Sequence, residues 1–154
     1  MAYTLPGSVI QFVRQTFQVH EILFLEHHNS YLTHIEFVDS GAKGVIIKVG
    51  TQMYDHFPPE LKTKTTRQKA MLVSVLHELG HIQAYDKGLD NDNEVLAWAL
   101  ARRIMQAHTG VFEQIPSDEW ELYVKDGLAS YETLLGSHAI LCWATSAKVA
   151  LKSP

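Results

Sequence analysis

A mostly apolar stretch at residues 70–84 contains two histidines and a glutamate, at His77, Glu78 and His81. An apolar run of this length is typical of a helix that packs into the core of a domain. Burying polar groups without partners costs about 1–3 kcal/mol each. Three such side chains on a core helix therefore favour a specific chemical role for this segment over ordinary packing.

Capping patterns bound this helix and open the next one. Thr65 with Gln68 fits a capping box before the apolar stretch, and Gly88 suits its C-terminal end. Asn91 with Glu94 is a second capping-box pattern. We therefore predict two successive helices joined by a short turn. The second of these helices is predicted from 91 to 105 or 108, and further helices are predicted over residues 6–20, from 117 to 127 or 136, and over 138–151.

The first third of the chain predicts three strands. Residues 21–26 and 31–38 flank a polar tetrapeptide at 27–30, which suits a hairpin loop, and the second run alternates with period two. Residues 45–49 are rich in β-branched side chains. The expected fold class is α+β: a small N-terminal antiparallel sheet, followed by a helical half that carries the HExxH helix.

Length and charge bound the architecture and the partners. With 154 residues, 46% hydrophobic and 19% charged, the chain has enough apolar material for one core, so we expect a single domain over residues 1–154. The formal net charge is -4 and the pI is about 6.1. Nucleic-acid binding needs clustered Lys and Arg, so nucleic acid is not an expected partner.

Cysteine usage and hydropathy indicate the compartment. Cys142 is the single cysteine, so no internal disulfide can form, which fits a reducing environment. Residues 1–17 have Pro6 and Gly7 early and no long apolar run, so we expect no signal peptide. No stretch approaches the ~20 apolar residues of a membrane span. We therefore expect a cytoplasmic protein without a membrane partner.

The spacing of the two histidines predicts a metal site. Residues four apart lie on one face of a helix, so His77 and His81 can direct two ring nitrogens at one zinc ion, about 2.0–2.1 Å away. Zinc lowers the pKa of a bound water to about 7. Glu78 lies beside that face and can take the proton of this water as a general base. These residues predict zinc-assisted hydrolysis.

A catalytic zinc ion usually has three protein ligands, and Glu94 is the main candidate for the third. It begins the next helix, which can fold back against the first, although a strict antiparallel pair turning at Gly88 would place Glu94 somewhat beyond His81. The competing interpretation of Glu94 is simple N-terminal capping. Other possible third ligands are Asp90, Asp92, His108, Glu119 and Glu132.

The HELGH segment, followed by Glu94 and the alanine-rich residues 95–101, resembles the ImmA/IrrE-type zinc metallopeptidases of the gluzincin group. The resemblance covers residues 67–105. It implies a zincin-like core, with His77, His81 and Glu94 as zinc ligands and Glu78 as the base. Where gluzincins often place Asp or Asn to hold a zinc-bound histidine, this chain has Trp98.

The function implied by the resemblance is hydrolysis of peptide bonds in a cytoplasmic protein. The substrate would be a repressor or regulator of a phage, a mobile element or a stress circuit. The alternative is a zinc-binding regulatory protein with little or no catalysis that acts by binding a protein partner. A non-peptide amide hydrolase is a third possibility, because the zinc chemistry is the same. The oligomeric state does not follow from the sequence.

Several residues keep open interpretations. The oxyanion of the reaction needs a stabilising group, for which the candidates are Tyr85, His108, Tyr131 and His138. The three tryptophans are interpreted as core or subunit contacts; they are Trp98, Trp120 and Trp143. The strand at residues 45–49 is either an ordinary sheet strand or one that pairs with an extended peptide substrate.

Overall fold

A small sheet precedes the long helices in the part of the chain that the computed structural model describes, which is residues 3–26, 32–37, 44–90 and 93–134. In chain order the elements are α1 (Gly7–Thr16), β1 (Val19–Leu25), β2 (His34–Phe37), β3 (Val45–Gly50), a short 3-10 helix (Met53–His56), α2 (Pro59–Lys62), α3 (Arg67–Asp86), α4 (Glu94–Ala107) and α5 (Ser117–Leu134). The predicted α+β class is confirmed. The predicted helix at 138–151 and Cys142 lie outside the described residues.

The strand order in the sheet is β1-β3-β2, with β1 parallel and β2 antiparallel to β3. The sheet is therefore mixed, and the predicted hairpin between the first two strands is wrong. The central strand β3 is the most completely buried of the three. In its register, Ile47 lies between Ile22 of β1 and Ile35 of β2. These three isoleucines form one buried row across the sheet. Burial of this row stabilises the strand order β1-β3-β2 over a β1-β2 hairpin.

A central strand has no free edge. β3 pairs with β1 on one side and with β2 on the other, so its backbone groups are already used. The interpretation of residues 45–49 as a strand that pairs with a peptide substrate is therefore wrong. They form an ordinary sheet strand.

Helix α1 covers the sheet but is shorter than the predicted 6–20. Val9 and Val13 are four residues apart and both are buried, as a helix that rests on a sheet requires. The helix ends at Thr16, and Gln18 adopts a φ of 55° just before β1 begins. This left-handed residue reverses the chain, which explains why the helix cannot continue to position 20.

Helix α3 lies at the centre of the molecule, against β3 and against α4. A polar link fixes it to the sheet: the Thr33 hydroxyl donates to the Ser74 hydroxyl at 2.9 Å and accepts from the Gly50 N–H at 3.0 Å. Helix α5 continues past Gly127 to Leu134, which is one of the two lengths expected. Among the described helices, none is both long and apolar enough to cross a membrane.

Candidate metal centre

Helix α3 carries the predicted polar residues and begins one residue later than its capping pattern suggested. Its N-cap is Thr66, whose side-chain oxygen accepts from the Lys69 N–H at 3.2 Å. Thr65, the predicted cap, hydrogen-bonds the Tyr123 hydroxyl inside the protein instead. Two adjacent threonines were equally suitable as caps, and only the contact with α5 distinguishes them.

The end of α3 at Gly88 is confirmed. Gly88 adopts a φ of 69°, a conformation that glycine reaches without steric cost. Its N–H donates to the Tyr85 carbonyl at 3.0 Å, and the Leu89 N–H donates to the Ala84 carbonyl at 2.8 Å. This pair of bonds is a Schellman motif, which satisfies the last carbonyls of the helix. The motif turns the chain back towards α4.

Helix α4 begins at Glu94, and Asn93 is its N-cap. The Asn93 side-chain oxygen accepts from the Leu96 N–H at 3.0 Å. The capping box predicted from Asn91 is therefore wrong in its position; Asn91 itself lies outside the described residues. Because Asn93 caps the helix, the Glu94 carboxylate is not needed there and is directed towards α3.

Gly80 explains how Glu94 reaches the histidines. A Cβ atom at Gly80 would lie 2.1 Å from the Ala97 carbonyl oxygen and 3.2 Å from the Ala101 nitrogen. The backbones of α3 and α4 are therefore in direct contact, which only glycine permits. With the helices this close, the Glu94 carboxylate contacts both His77 and His81, and the expected overshoot of Glu94 beyond His81 does not occur.

The three predicted ligands converge on one point. The Glu94 Oε2 atom lies 2.7 Å from Nε2 of His77, and its Oε1 atom lies 3.3 Å from Nε2 of His81. One potential ligand atom from each residue falls within 4.8 Å of the others. Ligand atoms about 2.0–2.2 Å from a tetrahedral zinc ion lie roughly 3.4 Å apart, so small side-chain adjustments would bring these atoms to coordination distances, and two imidazoles with one carboxylate are a donor set that zinc accepts. The residues therefore fit a zinc ion.

Burial and charge set the protonation states of this group. Burial lowers the pKa of His77, and the nearby His81 adds to this effect, while the hydrogen bond to Glu94 opposes it. Burial alone would raise the pKa of Glu94, but hydrogen bonds from both histidines outweigh burial and lower the pKa to about 2. At neutral pH the group therefore contains a carboxylate and a neutral His77, which are the states that bind metal.

Glu78, the predicted general base, lies next to this group on the buried side of α3. It is only 2% exposed, and its Oε1 atom is 3.8 Å from Nδ1 of His77. The carboxylate is thus adjacent to a predicted ligand but beyond direct hydrogen-bonding distance from that nitrogen. Its position beside the predicted zinc site agrees with the placement expected from the sequence.

Trp98 packs against the predicted ligand His77. The two rings are nearly parallel, at an interplanar angle of 12°, with centroids 4.3 Å apart. Trp98 is thus a core residue, as one of its two interpretations stated, but it also contacts the site. This contact could not be predicted from the sequence, because four-residue spacing from Glu94 shows only that Trp98 lies on the same face of α4.

The alternative third ligands do not join the group among the described residues. Glu119 is buried elsewhere, with its Oε1 3.6 Å from the Lys69 Nζ, and His108 packs its ring against Phe12 and Phe112. Asp90 is likewise not part of the group that could hold a metal. Asp92 and the Glu132 side chain lie outside the described residues.

Of the candidates for oxyanion stabilisation, one lies away from the site, one lies on the helix that carries the histidines, and the others lie outside the described residues. His108 lies in an aromatic cluster, and Tyr85 is 37% exposed, two turns of α3 after His77. Tyr85 is therefore on the same helical face as the histidines. The Tyr131 side chain, His138 and Trp143 are outside the described residues.

Gly80 is the other residue whose role was not predicted from the sequence, although a glycine inside a predicted helix is a signal of close packing.

Three comparisons with known proteins found no match to this chain. No family model matches the chain, and neither the curated proteins nor the solved structures gave a match. The function of the protein is therefore inferred from its sequence and from the geometry of this site.

Proposed function

We propose that this protein is a zinc-dependent metallopeptidase related to the ImmA/IrrE type, with His77, His81 and Glu94 as metal ligands. The observation that carries the proposal is the convergence of the two Nε2 atoms on one carboxylate, at 2.7 and 3.3 Å, from two helices held together at Gly80. An ordinary buried salt bridge does not need two imidazoles on one face of a helix beside a second carboxylate.

Each residue has a distinct task in this proposal. A zinc ion held by the three ligands supplies Lewis acidity, which polarises a peptide carbonyl and makes water acidic enough to lose a proton near pH 7. Glu78 accepts that proton as the water attacks the carbonyl and then delivers it to the departing amine. In the metal-free protein the Glu94 carboxylate is hydrogen-bonded to Nε2 of His77, and a bound zinc ion would take the place of the proton between these two groups.

The proposed substrate is a peptide segment of a cytoplasmic protein, such as a repressor or regulator. Amide hydrolysis is the reaction that this combination of a His2Glu site and a carboxylate base supports best. The choice of a protein substrate and the cytoplasmic location follow from the family resemblance and from the single cysteine.

The test combines metal analysis with the variant Glu78→Gln. We expect about one zinc per chain in the wild-type protein and in Glu78→Gln, because Glu78 is not a ligand. Cleavage of an unfolded protein substrate should fall by a factor of about 100 or more in the variant, within the range usual for general-base catalysis. Glu119→Gln, which alters another buried glutamate, is the matched control and should keep both zinc and activity. Equal activity in Glu78→Gln and wild type would overturn the proposal.

A zinc-binding regulatory protein is the second candidate, and the burial of Glu78 is the observation that favours it. A base that is 2% exposed needs a local movement before it can meet water and substrate together. In that case the protein would bind zinc and a protein partner without turnover. Its cellular activity would survive Glu78→Gln and would be lost in His81→Ala.

A further inference from the structure

The orientation of His77 needs an explanation, because one of its ring nitrogens lacks the usual support. A metal-binding histidine normally donates its second ring N–H to a carboxylate, a carbonyl or water, and this bond fixes the ring. The hydrogen bond of the His77 ring is made by Nε2, whereas Nδ1 lies 3.8 Å from the carboxylate of Glu78, beyond hydrogen-bonding distance. What the ring does contact is the face of Trp98.

The indole of Trp98 is itself held on two sides. Trp98 is 6% exposed and meets Trp120 edge-on, at an interplanar angle of 83°. On α5, Gly127 leaves room for the indole: a Cβ atom there would lie 2.6 Å from Cζ2 of Trp98. The indole cannot shift without displacing α5 or Trp120. A ring stacked on this surface at 4.3 Å is therefore restricted in its own rotation.

We propose that Trp98 is a positioning residue for the metal ligand His77, and that stacking on the indole face replaces the missing hydrogen bond at Nδ1. This inference rests on the proposed zinc site. Stacking fixes the plane of the imidazole before metal binds, so less rotational freedom is lost on binding. A ligated imidazole also carries more positive charge, and the electron-rich face of an indole attracts positive charge.

The indole N–H gives no competing reason for a tryptophan at this position. Among the described residues, the Nε1 atom of Trp98 has no hydrogen-bond partner. A residue that only filled space would not need a polar edge that is buried without a partner. The stacked face is the part of the indole that contacts the site, so a different planar ring should preserve part of the effect.

The test measures zinc affinity by chelator competition in Trp98→Leu and Trp98→Phe. Residues that support a metal ligand typically contribute 10–100-fold to metal affinity. We expect about a tenfold or greater loss of affinity in Trp98→Leu and a loss of only a few-fold in Trp98→Phe, which keeps a flat ring. The absorption spectrum of the cobalt-substituted protein should change in Trp98→Leu, because the His77 ring is no longer fixed.

Phe112→Leu is the matched control. Phe112 is a buried aromatic residue that contacts Phe12 and His108 and not the site, so its loss should lower thermal stability and leave zinc affinity unchanged. If Trp98→Leu does not fold, Gly127→Ala carries the test, since its methyl group displaces the indole and should also weaken zinc binding.

The outcomes separate this inference from the proposed function. Unchanged zinc affinity in Trp98→Leu, or in Gly127→Ala where that variant replaces it, overturns the positioning role while the zinc site stands. Equal losses in Trp98→Leu and Trp98→Phe also overturn it, because then only bulk matters. Absence of zinc binding in the wild-type protein overturns the zinc site and the positioning role together.

Discussion

Helix α3 contributes to two clusters of largely buried polar side chains, one near its N-terminus against α5 and the other nearer its C-terminus against α4. We call them the α5-side cluster and the α4-side cluster. Their members are Thr65, Lys69, Glu119 and Tyr123 in the first, and His77, His81 and Glu94 in the second. The same helix thus supports two arrangements of polar groups, and their chemistry differs.

The α5-side cluster pairs groups of complementary type. The Lys69 ammonium lies 3.6 Å from Glu119, which is 5% exposed, and the Thr65 and Tyr123 hydroxyls bond each other. Burial and nearby carboxylates raise the pKa of Tyr123, so it stays a neutral hydroxyl. The ammonium faces a carboxylate and the two hydroxyls bond each other, as is typical of a structural polar contact, while among the described residues Oε2 of Glu119 has no hydrogen-bond partner.

The α4-side cluster is different because the potential ligand atoms of its three residues converge on one point. Two imidazole nitrogens face a single carboxylate, and all three residues offer electron pairs to a cation when the imidazoles are neutral. The comparison teaches that burial of polar groups does not by itself indicate function. The type of donor and the convergence of the donors do.

The largest effect should come from removing one ligand. His81→Ala should abolish stoichiometric zinc binding, with an affinity loss of about 100-fold or more, since loss of a supporting residue alone costs 10–100-fold. Elemental analysis after dialysis against a weak chelator measures it. Thr65→Val, made in the α5-side cluster, should retain zinc. Equal zinc content in His81→Ala and wild type would remove the distinction between the clusters.

Gly80→Ala should disturb only the α4-side cluster. Its methyl group would meet the Ala97 carbonyl oxygen at 2.1 Å, so α4 must move away from α3 and carry Glu94 with it. We expect a loss of about 3 kcal/mol or more in unfolding free energy, at the upper end for overpacking because the obstacle is backbone. Chemical denaturation and zinc titration measure the two consequences. Gly110→Ala, where a Cβ would meet nothing within 4 Å, is the control.

The stability of the metal-free protein should fall with acidification through the α4-side cluster. The pKa of His77 is lowered from 6.5 and that of Glu94 from 4.5 to about 2, so the unfolded chain binds more protons at both positions. Stability from Glu94 is present above about pH 4.5 and is lost between there and pH 2; the His77 contribution declines from about pH 6.5 downwards.

The Glu94 part should amount to roughly 3–4 kcal/mol in full, from a pKa lowered from 4.5 to about 2 at about 1.4 kcal/mol per pKa unit, and roughly 2 kcal/mol of it should be lost by pH 3. Denaturation between pH 7 and 3 in the presence of a chelator measures it. The difference from Glu94→Gln isolates this residue, and a parallel pH dependence in the two proteins would contradict the assignment.

The smallest expected effect is on the α5-side cluster. Lys69→Met removes the cation beside Glu119 and should lower the unfolding free energy by about 1–2 kcal/mol, less than for a fully buried pair because Lys69 is partly exposed. Zinc content should not change. A loss of zinc in Lys69→Met would show that the two clusters are coupled through α3.

Local signals in the sequence determined the helical half. The placement of His77 and His81 on one face of a helix and the end of that helix at Gly88 depend on contacts within a few residues. Both could therefore be predicted, and both are found in the structure. The choice of Glu94 as the third member of the site was also possible, because a short turn limits where the next helix can go.

Tertiary structure decided what depends on distant partners. The position of β3 between β1 and β2 reflects burial of the Ile22, Ile47 and Ile35 row, which no local pattern contains. The capping role of Thr66 over Thr65 depends on Tyr123, and the stacking of Trp98 on His77 depends on the backbone contact at Gly80. Periodicity identifies the face of a helix, but only packing decides what that face meets.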